Sequence, residues 1–295
     1  MPRRQFTTIS ISLLFIALLA GSALGVFGLE PVASVSSSKI PVPKLKLDSS
    51  GIPITDYGNV TGIYIGPQRN PITIAHKAID YFNSFEKNKD TNSKQLFLNT
   101  ANWFVGNTLP HGNYSILEYK FPWPQYQLKA PWQSGMAQAQ ALGILARAYN
   151  ITHEIKYLNT SKMLLNSFFV EVKDGGVTYK TPTNGWWYEE YAADNHDRVI
   201  SRALNGMIFS VLGIYDYYKY TKDPEAKYLF DKGILALKNN LALYDNNGDS
   251  FYDILKTPAN QNYHKTHVKL LQQLYDITGE STFEGYHDRW STRVK

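Results

Sequence analysis

Apolar and polar positions recur with a helical period over most of this chain. After Pro71, a residue suited to the first turn of a helix, apolar side chains follow at helical spacing: Ile74, Ala78, Ile79 and Phe82. The spacing predicts an amphipathic helix that begins at Pro71. Before this residue the sequence is rich in proline, serine and glycine, with short β-prone stretches such as Gly62 to Ile65.

The pattern of a helix, a polar turn and a second helix occurs four times. The turns lie about 55 to 70 residues apart, in segments that begin at Glu86, Tyr149, Tyr218 and Tyr275. Each repeat predicts an αα-hairpin that a longer connection joins to the next one. We therefore predict an all-α fold, an α/α toroid of about four helical hairpins, complete or open, with short β-hairpins in the connecting loops.

Three long connections carry much of the aromatic and charged chemistry. They are residues 107–130, 171–199 and 243–261. In a ring of hairpins, the loops of one face converge over the mouth of the barrel, and binding residues concentrate on such loops. We expect these three connections to form the walls of the functional site.

The first 29 residues differ from the rest of the chain. Arg3 and Arg4 precede an almost uncharged run from Phe6 to Leu29, which predicts a signal peptide or an N-terminal membrane anchor. Residues 30–70 are then a linker and irregular lead segment, and residues 71–295 form the helical domain. Either kind of N-terminal segment exports the domain, which is then secreted or membrane-anchored at the cell surface.

The composition narrows the choice of partner. The 295 residues carry a net charge of +5 and include 14% aromatic residues and no cysteine, which excludes disulfides and thiolate chemistry. A basic, exported protein rich in tyrosine and tryptophan suits an anionic polymer. Because the basic residues are scattered rather than clustered, a polysaccharide with sparse carboxylates is favoured over nucleic acid.

The segment GWWYEEY, Gly185 to Tyr191, places two adjacent carboxylates among four aromatic rings. A carboxylate against aromatic surface loses hydration, which raises its pKa toward neutrality and suits a general acid or base. The alternative is an exposed Glu189–Glu190 pair beside a sugar-stacking or core aromatic patch. If the segment is extended, Tyr188 and Glu190 share a face while Tyr191 points away, so a site with both Glu190 and Tyr191 needs a turn.

YHKTH, Tyr263 to His267, is predicted to open the seventh helix, with Tyr263 and His267 one turn apart on one face. His264 and His267 have no third ligand at suitable spacing, so no metal is expected, and the alternative is a pair of core histidines. The segment Tyr244 to Asp253 superficially resembles a calcium loop, but Lys256 stands where the bidentate glutamate belongs. Phosphate-loop, nucleophile-elbow and HExxH motifs are absent, and no cofactor is expected.

Five ordered segments carry a family resemblance. They are APWQSGMAQAQALGILARAY from Ala130, WYEEY from Trp187, LNGMIFSVLGIYDYY from Leu204, LALYDNNGDSFYD from Leu241 and YHKTHVKLLQQLY from Tyr263. Together they resemble the C-terminal domain of D-glucuronyl C5-epimerases, which invert glucuronate to iduronate within heparan-type polysaccharides. The resemblance covers about residues 70–291 and implies an α/α barrel acting on an acidic, uronate-containing polysaccharide.

Carried over residue by residue, the resemblance implies catalytic roles for Glu190, Tyr191, Tyr252 and Tyr263. The family's Tyr-Asp-Leu motif is followed by an arginine that engages a substrate carboxylate, whereas this chain has Lys256 near that place. Lys256, Arg198 and Arg202 are candidates for the missing positive charge.

A second departure is the absence of the β-rich N-terminal region that animal members place before the helical domain. Residues 31–70 are too few to replace it. Part of the substrate-binding surface is therefore missing, is supplied by a second subunit in a homodimer, or is adapted to a different glycan.

The chemistry of C5 inversion sets what the site must contain. Removal of a hydrogen α to a carboxylate creates an enolate-like dianion, so two protic groups must flank the sugar and a cation must hold the carboxylate. We expect Glu190 and Tyr263 to be the flanking pair, with Tyr191 and Tyr252 as donors or proton relays. Further residues expected to contact substrate are Trp187, Tyr188, Arg147, Arg202, Asn205, His264 and His267.

Two other functions fit the same sequence features. A uronate polysaccharide lyase or unsaturated-uronyl hydrolase uses the same kind of toroid, and a lyase shares the first proton abstraction. A noncatalytic glycan-binding surface protein keeps the fold without turnover. Entry of solvent deuterium at C5, or absorbance from a 4,5-unsaturated uronate, distinguishes these functions.

Overall fold

A computed structural model describes residues 43–194 and 199–295 of the chain. Within these ranges the helices pair as four hairpins, which confirms the predicted repeat and the start of the first helix at Pro71. The helices are α1 (Pro71–Asn88), α2 (Thr91–Asn107), α3 (Gly135–Thr152), α4 (Ile155–Asn166), α5 (Leu204–Thr221), α6 (Pro224–Asn240), α7 (Gln261–Thr278) and α8 (Ser281–Ser291).

All four hairpin turns are built in the same way. The first helix ends at a left-handed residue, and the next residue is the acidic N-cap of the second helix: Lys89-Asp90, His153-Glu154, Lys222-Asp223 and Gly279-Glu280. The side chains of Asp90 and Asp223 accept hydrogen bonds from first-turn N–H groups, which have no partner within the helix. The acidic residue also suits the positive end of the helix dipole.

The hairpins form two layers of helices. The odd-numbered helices pack side by side in the order α1, α3, α5, α7, and each even-numbered helix packs on its own hairpin partner. The closest approach is between α3 and α5, where a Cβ on Gly213 would lie 2.6 Å from the carbonyl oxygen of Ala139. Because each hairpin reverses the chain, the odd-numbered helices run in the same direction. Their N-terminal ends therefore lie along the same side of the helix layer.

The lead segment, predicted to be linker and irregular, is folded from residue 43 onward. It contains an antiparallel sheet in the order β1, β2, β5 and a separate β3–β4 hairpin. The strands are β1 (Lys44–Leu47), β2 (Pro53–Asp56), β3 (Asn59–Val60), β4 (Ile63–Tyr64) and β5 (Pro67–Gln68). Strands of two to four residues, interrupted by glycine and proline, are too short to show a period of two in the sequence.

The long connections contain the predicted short β-structures. Their strands pair antiparallel: β6 with β7 and β7 with β8, β9 with β10, and β11 with β12. The strands are β6 (Thr108–His111), β7 (Tyr114–Tyr119), β8 (Trp132–Gln133), β9 (Thr178–Lys180), β10 (Trp186–Tyr188), β11 (Asp245–Asn246) and β12 (Asp249–Ser250).

Two groups of buried side chains hold these parts together. The larger one lies between the helix layers. The smaller one, which we call the aromatic cluster, joins the lead segment to the connections. Its buried members are Tyr57, Val60, Ile65, Tyr119, Phe121, Trp123, Tyr126, Leu128, Trp132, Ala137, Ala193, Ala203 and Tyr252.

The predicted signal peptide or anchor, residues 1–29, lies outside the described residues. Among the helices of residues 43–194 and 199–295, none combines the length and the apolar character needed to cross a bilayer.

Candidate active site

The chain bends at Glu190 and Tyr191, where a site that contains both side chains needs a turn. Strand β10 ends at Tyr188, a bend follows at Glu190 and Tyr191, and Ala192 then pairs with Gln133 through hydrogen bonds of 2.8 and 2.9 Å. The bend breaks the strict alternation of a strand. Tyr188 therefore enters the main core, while Glu190 and Tyr191 both reach the aromatic cluster.

Glu190 is held as a buried carboxyl against the first turn of α5. Its side chain lies so close to Gly206 that a Cβ there would be 2.2 Å from Glu190 Oε2. The residue is only 6% exposed. Burial raises the pKa of Glu190 to about 8, with a hydrogen bond from Tyr191 opposing the shift and the charge of Glu189 adding to it. This carboxyl can therefore exchange a proton near neutral pH.

Three tyrosines extend from this carboxyl as a connected group. The hydroxyls of Tyr191 and Tyr252 lie 3.2 Å apart, and the rings of Tyr252 and Tyr263 meet edge to face at 4.7 Å between centroids. Burial first, and then the negative charge of Glu190, raise the pKa of all three phenols. The structure thus brings together the four residues that the resemblance marks as catalytic.

The site forms where helices begin. Leu204 at the start of α5 donates its backbone N–H to the Tyr252 carbonyl at 2.9 Å, and Gly135 at the start of α3 donates to the Glu189 carbonyl at 2.6 Å. Tyr263 lies in the first turn of α7, where its backbone N–H is bonded to the Asn260 cap at 3.1 Å. The first turns of α3, α5 and α7 therefore lie next to site residues, and the positive end of a helix dipole favours negative charge near it.

Tyr126 and Asp253 are parts of this arrangement that the sequence analysis missed. The Tyr126 hydroxyl donates to Asp253 Oδ2 at 2.9 Å, and its ring lies 4.6 Å from that of Tyr191. Trp132 packs on the same tyrosine at 5.8 Å. Asp253 directly follows Tyr252 in the Tyr-Asp motif, and Tyr126 lies in a connection predicted to form a wall, so the sequence offered a signal for both.

Arg202 lies beside Glu189, and Asn205 directly precedes Gly206, against which Glu190 packs. Arg202 Nε is 3.9 Å from Glu189 Oε1, and its guanidinium stacks 4.2 Å over the ring of Tyr179. Asn205, in the first turn of α5, is 2% exposed, and its Oδ1 has no hydrogen-bond partner among the described residues. These two of the predicted substrate contacts are near Glu190.

Trp187 and Tyr188 are core residues, which corrects their prediction as substrate contacts. The Trp187 ring stacks on Tyr244 at 5.7 Å and is 1% exposed. Tyr188 is fully buried, and its hydroxyl donates to the Leu229 carbonyl at 2.5 Å. Neither ring can present a face to a sugar, because strand β10 directs both into the helix layers.

Arg147 is also in a different place from the one predicted. It forms an ion pair with Asp216 and donates to the Gly143 carbonyl at 2.8 Å. It lies twelve residues after the start of α3, about 18 Å along the helix axis from the end where the site forms. Arg147 therefore joins α3 to α5 and does not contact a sugar at Glu190.

His264 and His267 form a structural pair rather than a sugar-binding one. Both are fully buried and share Ser250 Oγ, at 3.0 and 2.8 Å from their Nδ1 atoms. His264 Nε2 is also 2.9 Å from the Trp290 carbonyl oxygen. Across residues 43–194 and 199–295, no three side chains of metal-binding type come together.

Three residues were predicted as candidates for the positive charge that holds the substrate carboxylate. Lys256 donates to the Leu243 carbonyl and lies 4.9 Å over the ring of Phe251. Arg198 lies outside the described residues. Of the two candidates that the structure describes, Arg202 is the one that contacts Glu189, the residue adjacent to Glu190.

Solved structures show which class of fold this is. The chain superposes on a sugar epimerase from a ruminal bacterium with a TM-score of 0.58 at 12% identity, covering 84% of this chain and 65% of that one. It superposes on a GH76 α-mannanase of Bacteroides thetaiotaomicron with a TM-score of 0.54 at 12% identity, covering 82% and 62%. It superposes on an unsaturated glucuronyl hydrolase specific for heparin with a TM-score of 0.53 at 10% identity, covering 74% of this chain and 60% of that one. At these identities the likeness shows a shared helical fold and no more.

The sequence defines the family within that class. Residues 111–292 match the family described as D-glucuronyl C5-epimerase C-terminus, and the chain belongs to this family. It is 31% identical to the D-glucuronyl C5-epimerase of Caenorhabditis elegans over 214 residues, which cover 66% of this chain and 34% of that enzyme. It is 28% identical to an uncharacterised protein of Methanocaldococcus jannaschii over 303 aligned positions, covering 97% and 96%. The chain thus spans about a third of the nematode enzyme and nearly all of the archaeal protein.

Proposed function

We propose that this protein is a carbohydrate epimerase that inverts C5 of D-glucuronate to L-iduronate within an acidic polysaccharide. One observation carries the proposal. A buried carboxyl whose pKa is raised to about 8, Glu190, is bonded to Tyr191 and connected through Tyr252 to Tyr263. This set of groups can take a proton from one face of a sugar and return one to the other.

In the proposed mechanism Glu190 and Tyr263 act on opposite faces of the uronate ring. With ionised Glu190 as base, the C5–H bond breaks, its proton passes to Glu190 and its electrons enter the enolate. The enolate electrons then form a new C5–H bond on the other face with the proton of Tyr263, whose O–H bond breaks, so that Tyr263 is left as a phenolate and Glu190 is protonated. In the reverse direction the two residues exchange roles. Tyr191 and Tyr252 donate hydrogen bonds to the uronate carboxylate as its charge increases.

The electrostatics of the site support phenols as donors. The pKa of each catalytic tyrosine is raised, so the hydroxyls keep their protons at neutral pH in the form of the enzyme in which ionised Glu190 is the base. The dianion also needs positive charge, and the first turns of α3, α5 and α7 supply partial positive charge at the site. We assign Arg202 and Asn205 to the substrate as well, because Arg202 contacts Glu189 and Asn205 directly precedes Gly206, against which the Glu190 carboxyl packs.

The wider assignment follows from the same proposal. We infer that the four hairpins form an α/α toroid, that residues 71–295 are its helical domain, and that the predicted segment 1–29 exports the protein or anchors it in a membrane. The partner is then a polysaccharide outside the cytoplasm rather than nucleic acid. A homodimer that completes the binding surface stays a prediction.

The test is hydrogen exchange at C5. The protein is incubated with a glucuronate-containing polysaccharide, such as heparosan, in heavy water, and proton NMR follows loss of the C5 signal and appearance of iduronate. Glu190→Gln and Tyr263→Phe are each expected to lower exchange at least 100-fold. The matched control is Tyr275→Phe, which changes a tyrosine of the same helix twelve residues away, about 18 Å along its axis.

Each result leads to a different conclusion. Exchange at wild-type rate in both variants would eliminate the assigned pair. Absorbance from a 4,5-unsaturated uronate would identify a lyase, and binding without deuterium entry would identify a glycan-binding protein.

A further inference from the structure

Asn70, the N-cap of α1, connects two tyrosines of the aromatic cluster. Its Oδ1 accepts the backbone N–H of Ile72 at 2.8 Å and the hydroxyl of Tyr119 at 3.2 Å. Its Nδ2 donates to the hydroxyl oxygen of Tyr57 at 2.5 Å. A single amide therefore joins the helix start, the connection before α3 and the lead segment.

The orientation of this amide is fixed by chemistry. The Ile72 N–H is a donor, so the Asn70 atom that faces it must be the oxygen, and the NH₂ group must face Tyr57. Tyr57 accepts a hydrogen bond from Asn70 and therefore cannot give its own proton to that partner. The proton of Tyr57 has to be directed at a different acceptor.

Tyr57 lies on the catalytic side of the aromatic cluster. Its ring packs 5.4 Å from Phe121 and 5.5 Å from Trp123. Phe121 in turn packs 6.1 Å from Trp132, which lies 5.8 Å from Tyr191, and Tyr263 packs against the same cluster. The lead segment thus delivers a polar group to the neighbourhood of a proposed catalytic tyrosine.

We propose that Tyr57 donates a hydrogen bond to an oxygen of the bound uronate, and that Asn70 positions this proton by donating to the phenol oxygen. The proposal rests on the function given above and adds the lead segment to the binding site. It gives residues 43–70 a share of the substrate-binding surface.

Substitution at Asn70 can reverse its hydrogen bond with Tyr57, so that Tyr57 becomes the donor, without removing the helix cap. In Asn70→Asp, one carboxylate oxygen still accepts the Ile72 N–H, since aspartate and asparagine cap helices equally well. The other oxygen now accepts from Tyr57, which withdraws the proton from the sugar. We expect Asn70→Asp and Tyr57→Phe each to weaken binding of a heparosan tetrasaccharide about tenfold, the worth of one hydrogen bond.

The double variant separates this effect from the added negative charge. If Asn70→Asp acts through the Tyr57 proton, it has no further effect on the dissociation constant when Tyr57 is already Phe. An equal loss in both backgrounds would show a plain charge effect and overturn the proposal. Asp90→Asn, the reciprocal exchange at the remote cap of α2, controls for capping and is expected to bind like the wild type.

Calorimetric binding and C5 exchange are measured on the same samples, so that the two proposals fail separately. Tetrasaccharide binding that weakens in Tyr57→Phe supports the role of Tyr57 even if the wild type incorporates no deuterium, and the epimerase assignment alone then fails. Unchanged affinity in Tyr57→Phe overturns the role of Tyr57, whatever the exchange rate. Absence of binding by the wild-type protein overturns both.

Discussion

Glu190 connects the stability of the protein to its chemistry at the scale of one residue. Its pKa in the folded protein is about 8, while the unfolded chain releases this proton near 4.5. Between these values the folded state binds more protons than the unfolded state, so stability falls as pH rises through the window. Glu190→Gln removes this titration. We expect the variant to gain about 1.4 kcal/mol of unfolding free energy over the wild type per pH unit between pH 4.5 and 8.

Urea denaturation at several pH values measures this gain. Glu86→Gln, at an exposed position on α1, is the matched control and should show no such trend. A difference between Glu190→Gln and wild type that stays constant from pH 5 to 8 would mean that Glu190 is not a buried neutral acid.

In the proposed mechanism the same carboxyl sets the pH profile of turnover. The active form then carries one proton on the Glu190–Tyr263 pair, and the form with both groups protonated is inactive. We therefore expect kcat/KM for C5 exchange to rise about tenfold per pH unit below pH 8 and to level off above it. Because epimerisation releases no net proton, glucuronate and iduronate substrates must give the same profile. A rate that falls between pH 6 and 8 in deuterium-incorporation assays would remove Glu190 from the mechanism.

At the scale of the element, α7 begins with a proposed catalytic tyrosine and continues as a structural helix. His264 Nε2–H donates to the Trp290 carbonyl, so His264 Nδ1 accepts from Ser250, and Ser250 accepts from His267 Nδ1–H. Through these contacts the two histidines hold α7 to α8 and to the β11–β12 hairpin. Burial, and next the neighbouring His264, lower the pKa of His267 to about 3.

Acid should therefore weaken this part of the molecule. Between pH 6.5 and 3 the unfolded chain binds a proton at His267 that the folded protein does not, so stability falls as pH falls through this window. In this pH range we expect the free energy of unfolding of His267→Gln to change by about 1.4 kcal/mol per pH unit less than that of the wild type. His111→Gln, at an exposed position, is the control and should leave the slope unchanged. Equal slopes in the two variants, measured by thermal or urea unfolding, would contradict a buried neutral His267.

The helical hairpins could be predicted from the sequence because their signals are local. A proline at the first turn, a helical period and an acidic residue after each polar turn are visible within a few residues of one another. The lead strands carried no such signal, since β3, β4 and β5 have two residues each. Which face of a helix points inward is also not local. Arg147, His264 and His267 were on suitable helices but face packing partners rather than a sugar.

The candidate site also contains some residues that local sequence signals predicted and others that they did not. The aromatic environment of Glu190 was readable from one heptapeptide, and the roles of Tyr252 and Tyr263 came from the family resemblance. Tyr57, Asn70 and Tyr126 were missed because their contacts join segments far apart in the chain, such as Tyr126 with Asp253. Only packing of the lead segment and the connections onto the helix starts brings these residues together.

At the scale of the whole molecule, the lead segment belongs to the folded unit. Ile52, Val60 and Ile65 are less than 9% exposed, and Tyr57 is 9% exposed. Burial of one aliphatic side chain contributes about 1.5–3 kcal/mol. Removal of the segment would expose the surfaces that these residues cover and would also delete the Asn70 cap of α1.

Truncation tests this boundary directly. A chain of residues 71–295 should unfold at a lower temperature than one of residues 43–295, or without a cooperative transition, because the lost burial sums to several kcal/mol. Calorimetry and circular dichroism give the comparison, and removal of the exposed residues Val294 and Lys295 is the control for shortening. Equal melting temperatures would mean that the domain begins at Pro71 and that the lead segment only rests on it. If the lead segment both completes the core and supplies Tyr57 to the substrate, the chain of residues 71–295 should melt at a lower temperature and should also lose C5 exchange.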